Sequence, residues 1–132
     1  MDELVTKIAD ATGLDAAAAS GAIGIVLDFL RKEAPADKVA AMFSAMPGAE
    51  ALADQAAASD TGGKPGGLMG ALGGLMGGGG LMALAGKLTG AGLSMDQMQT
   101  LGRELFAFGR EKAGEDAMGE VVASVPGLSQ FV

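Results

Sequence analysis

The chain has 132 residues, 49% of them apolar and 19% charged, with a net charge of −7. It contains no Cys, His, Trp or Tyr, which removes disulfides, thiolate and imidazole metal sites, Cys nucleophiles and His general bases. The acidic balance opposes binding to a phosphate backbone, so no nucleic-acid partner is expected. The length suits one domain over residues 1–132, and its 23 glycines and many alanines point to a core of closely packed helices.

Along the chain, Leu4, Val5 and Ile8 predict a short amphipathic helix over about 2–12. Gly13-Leu14 then punctuates, and Asp15 is placed to cap a second helix running to about residue 34, where Pro35 stops it. From Ala16 to Leu27 this helix carries no charge, so it is predicted to be apolar nearly all round and the most buried element. Gly21 and Gly24 each weaken it by roughly 1 kcal/mol relative to Ala, and closer packing of a neighbouring helix is the expected return. A third helix over about 37–45 presents Val39, Met42, Phe43 and Met46 before Pro47-Gly48, and an Ala-rich fourth helix follows over about 49–58.

The same grammar returns 79 residues later without a gap. Gly13-Leu14-Asp15 aligns with Gly92-Leu93-Ser94, Phe29 with Phe108, Arg31 with Arg110, and Pro47-Gly48 with Pro126-Gly127. Ser94-Met95-Asp96-Gln97 matches a capping box and opens a second long helix over about 95–113, ended by Gly114. The fold class predicted is therefore all-α: two pseudo-repeated helical units packed together, about six to eight helices, with a Gly-rich connector. The units are placed at 1–58 and 80–132 and the connector at 59–79. Because one such hairpin cannot bury its apolar face alone, the two long helices are expected to meet at the centre.

Between Lys64 and Lys87 lies an uncharged run from Gly66 to Gly86. Gly66, Gly70, Gly74 and Gly78 recur every four residues as a glycine zipper beside Leu68, Leu72, Leu75 and Met76, a candidate interaction stripe. About 21 residues suffice to span a bilayer, but ten glycines cost a helix roughly 1 kcal/mol each, while the five leucines return only about 0.3–0.6 kcal/mol each. A connector docked through its Leu and Met residues is therefore favoured over a membrane or self-association element. The segment matches no Walker or dinucleotide fingerprint.

No catalytic residue, metal ligand or cofactor is expected. Glu111, Glu115, Asp116 and Glu120 cluster near a helix break, but Arg103, Arg110 and Lys112 are interspersed, and a solvated, salt-bridged face is the reading adopted over acid–base or calcium chemistry. The serines lack a nucleophile-elbow context. Met42, Met46, Met95 and Met98 at helical spacing are read as core filler, with a groove for partner helices as the alternative.

A helical half ending in Met46-Pro47-Gly48, a Gly/Leu-rich segment, and Gly92-Leu93-Ser94 opening a long helix together resemble the bacterial VcgC/VcgE proteins, small helical proteins of unknown function. The resemblance covers about residues 10–125 and implies no activity, cofactor or catalytic residue. The functional expectation is a non-enzymatic protein-interaction or scaffold module with a protein partner or self-association. The alternatives are an envelope- or membrane-associated protein using the zipper, and an unrecognised hydrolase. The acidic start Met1-Asp2-Glu3-Leu4, with no apolar run after it, predicts a cytoplasmic protein. Fast amide exchange through 66–80 and protection in both long helices is the expected outcome of residue-resolved hydrogen exchange; slow exchange through 66–80 would favour the zipper.

Overall fold

A computed structural model describes residues 2–61, 81–125 and Leu128. The described residues form seven α-helices and no strand: α1 (Asp2–Thr12), α2 (Ala16–Glu33), α3 (Ala36–Ala45), α4 (Ala49–Thr61), α5 (Leu81–Gly90), α6 (Met95–Ala113) and α7 (Glu115–Ser124). The fold class is all-α, as expected. Helix α4 continues through Asp60 and Thr61, past its expected end near 58 and into the stretch assigned to the connector. The zipper positions Gly66, Gly70, Gly74 and Gly78, with Leu68, Leu72, Leu75 and Met76, lie outside the described residues.

Local chemistry explains the helix ends. The Asp15 carboxylate accepts from the Ala18 N–H at 2.8 Å and opens α2. At α6 both halves of the capping box form: the Gln97 N–H donates to Ser94 Oγ at 3.3 Å, and the Ser94 N–H donates to Gln97 Oε1 at 2.8 Å. Gly114, with φ +97°, ends α6 in a backbone conformation that a side chain would strain. Pro35 removes the donor that α2 would need to continue and stands just before α3, where its carbonyl accepts from the Lys38 and Val39 N–H groups at 3.1 and 3.0 Å.

The 79-residue shift carries α1 onto α5, α2 onto α6 and α3 onto α7 with their ends displaced by no more than one residue. Burial follows the same shift. Ala22 and Leu101, Val26 and Leu105, Phe29 and Phe108, Val39 and Met118, and Met42 and Val121 are buried pairs. The two units pack against each other, with α1 against α6, α3 against α6 and α7, and α2 against both α5 and α6. Two polar links tie α1 to the other unit. The Gln97 Nε2 donates to the Thr12 carbonyl at 2.9 Å, and Lys7 Nζ lies 3.4 Å from Glu104 Oε2.

Helix α4 breaks this symmetry. It packs along α2 more extensively than any other pair of helices, and the shift carries only its first residue, Ala49, onto a described position, Leu128, which is also buried. The sequence of α2 admits it. A β-carbon on Gly24 would collide with the Leu52 carbonyl and come within 3.2 Å of the Ala56 β-carbon. On α6 the matching position is the exposed Arg103, which suits a helix facing water on that side.

The methionine reading as core holds for Met42, Met46 and Met98, all buried, whereas Met95 is 60% exposed; Met118, not singled out from the sequence, is buried too. The expectation that α2 is buried nearly all round holds from Ala22 to Leu30, and Lys32 and Glu33 at its end are exposed. At its start Ala16, Ala17 and Gly21 are exposed while Ala19 is buried, so only one face of its first turns is covered. The two glycines of α2 therefore do different things, and among the described residues nothing lies within 4 Å of a β-carbon built on Gly21. Gly24→Ala is expected to destabilise by about 1–3 kcal/mol through overpacking, whereas Gly21→Ala should stabilise by about 0.4–1 kcal/mol through lost unfolded-state entropy. Urea midpoints at unchanged m-value check both.

Candidate functional site: a groove beside the central helix

The exposed start of α2 forms the floor of a groove of about 530 Å³. Ala17, Gly21 and Ile25 line it from α2, Leu52 and Ala56 from α4, and Gly90 and Ala91 from the end of α5. Ser20, Gln55, Asp28 and Lys87 add polar atoms to its wall. The volume falls within the roughly 300–1,000 Å³ typical of ligand clefts. Its floor is smooth at Ala17 and Gly21, small residues that stand where α6, at the matching positions, carries Asp96 and Thr100, and apolar at Ile25, where α6 carries Glu104. Beyond the groove, the described surface has one exposed large apolar side chain, Met95, so this groove is where uncharged helix surface meets solvent most conspicuously.

One end of the groove is set by the most heavily bonded charge cluster among the described residues. The Asp28 side chain is 3% exposed. Its Oδ1 accepts from Arg31 at 2.8 Å and its Oδ2 lies 2.9 Å from Lys32 Nζ. Arg31 reaches on to Asp54 of α4 at 2.6 Å, so the cluster also pins α4 to α2. Burial pushes the Asp28 carboxyl up, but the hydrogen bonds and charges of Lys32 and Arg31 outweigh it and hold its pKa below the usual carboxylate value. With both oxygens held by cations of its own helix, Asp28 is a poor general base and a good anchor.

The carboxylates singled out in the sequence sit elsewhere. Glu111, Glu115, Asp116 and Glu120 lie on exposed faces of α6 and α7. Glu120 pairs with Lys38 of α3 at 2.7 Å, which raises the Lys38 pKa through that hydrogen bond and charge, so its partner comes from the other unit and not from the neighbouring basic residues. Among the described residues no group of three or more Asp or Glu could hold a metal ion. No single described helix is long and apolar enough to cross a membrane; α1 and α2 pass together only as a pair bent by 108°, and the apolar side chains of that pair, Leu4, Ile8, Ile23 and Leu27, are fully buried in the core.

The groove was not anticipated from sequence, although its signal is present: the charge-free run from Ala16 to Leu27 includes Gly21, for which the described structure supplies no packing reason. No family model, curated protein or solved structure matches the chain.

Because the Asp28 pKa is lowered on folding, its stabilisation is present above the ordinary carboxylate pKa and fades as pH falls through the folded value. Asp28→Asn should therefore cost about 1–3 kcal/mol at pH 7 by leaving Lys32 and Arg31 short of their acceptor. The gap between wild type and variant should narrow as pH drops below about 4, read from urea midpoints of both proteins across that range.

Proposed function

We propose that this chain is a non-enzymatic protein-interaction module that takes a segment of a partner protein into the groove between α2, α4 and α5. The observation that carries this reading is the uncharged, exposed start of α2. Helix positions facing water ordinarily carry polar side chains, and the pseudo-equivalent helix α6 does so with Asp96, Thr100 and Arg103. On α2 the same positions are Ala17, Gly21 and Gly24, and only Gly24 has its close neighbour within the described fold. A glycine exposed in mid-helix costs roughly 1 kcal/mol, a cost that close approach of another chain offsets. The resemblance to the VcgC/VcgE proteins is compatible with such a role and adds no activity to it.

Gly21→Leu separates binding from folding. The site is open, the backbone is helical and Leu is a good helix former, so the variant should fold with at least wild-type stability while filling the groove. Affinity capture from native lysate, followed by mass spectrometry, is expected to recover a partner with wild type that is lost with Gly21→Leu. Equal recovery with both proteins would overturn the reading. In liposome flotation the chain should remain with the soluble fraction, and co-flotation would favour the membrane-associated alternative.

A further inference from the structure

The chain has no Cys, so methionine supplies all of its sulfur. Thioethers differ in fate according to where they sit, because oxidation needs contact with a dissolved oxidant. Met42, Met46, Met98 and Met118 are sealed in the core, whereas Met95, the first residue of α6, is 60% exposed. Met98 lies one turn further along the same helix, so burial alone separates the two.

The fold does not depend on the side chain at residue 95. The 79-residue shift matches it to Ala16, which is exposed too at the start of α2. The bonds that hold the start of α6 run through its neighbours: Ser94 and Gln97 close the capping box, and Gln97 reaches the Thr12 carbonyl. The Met95 thioether takes part in none of these bonds, so its chemistry can change without loosening the helix end. A sulfoxide is polar and would disrupt the apolar surroundings of the four buried methionines, but at residue 95 it meets water.

We propose that Met95 is a reversible peroxide-oxidation site, taken to the sulfoxide and back while the fold stays closed. In the forward step a sulfur lone pair attacks the peroxide O–O bond. One oxygen is transferred to sulfur, which loses two electrons, and the other leaves as water or an alcohol. In the return step two thiols of a sulfoxide reductase are oxidised to a disulfide, and the sulfoxide oxygen leaves as water. The site is independent of the groove, whose lining does not include Met95.

Hydrogen peroxide added to the folded full chain, with peptide mapping by mass spectrometry over time, tests it. Fragment ions separate Met95 from Met98, which lie on one stretch without Lys or Arg between them. Met95 should gain one oxygen at least about tenfold faster than Met42, Met46, Met98 and Met118, and concentrated urea should abolish the difference. Protein oxidised only at Met95 should keep the wild-type urea midpoint, and a pair of methionine sulfoxide reductases, one for each epimer, should restore its mass. Met95→Leu should remove the fast phase and leave the urea midpoint in place. Oxidation of Met95 no faster than that of the buried four would overturn the proposal. So would a lowered midpoint after oxidation at Met95 alone, or a sulfoxide that both reductases leave in place.

Discussion

The approach of α4 to α2 at Gly24 is the constraint around which the fold is arranged. A helix can bring its backbone that close only where its neighbour has no side chain, and the Leu52 carbonyl occupies the space a β-carbon on Gly24 would need. This contact fixes α4 along one side of α2, leaving the remaining sides of α2 for α1, α3, α5 and α6. Arg31 then locks the pair at one end by bridging Asp28 of α2 and Asp54 of α4. Burial of Asp28 would be costly alone, and it is tolerated because both carboxylate oxygens face cations one turn away on the same helix.

Once α4 is in place, the two units cannot remain equivalent. Helix α6 has Arg103 where α2 has Gly24 and turns that face to water. Helix α2 has a fourth helix on the corresponding face, and the space between α4 and α5 becomes the groove. The same asymmetry reaches the first helices of the units. One is sealed by fully buried Leu4 and Ile8 and by two polar links, while the other faces a groove on one flank and an apolar gap beneath. Symmetric repetition accounts for the folding of both halves; the departure from it creates the groove, whose floor on α2 is uncharged at Ala17, Gly21 and Ile25.

Much of the architecture was legible in the sequence because it is governed by local rules. Asp15, the Ser94–Gln97 box, Gly114 and Pro35 set helix ends through hydrogen bonds and backbone restrictions that act within a few residues. The 79-residue repeat was readable for the same reason, since its markers are helix breakers and apolar positions at fixed spacing. Met42, Met46 and Met98 could be placed in the core from their helical period.

Tertiary structure alone decided which of two similar glycines is packed and which is open. Gly21 and Gly24 lie one turn apart on the same uncharged helix, and local propensity assigns them the same cost. The difference comes from the crossing of α4, which touches one and misses the other. It also decided that Glu120 pairs with Lys38, 82 positions away, instead of with the basic residues beside it. Helix ends are written in neighbouring residues, so the sequence by itself determined where the helices are. Which face meets another helix and which meets water depends on packing angles between distant segments, and no window of the chain contains both partners.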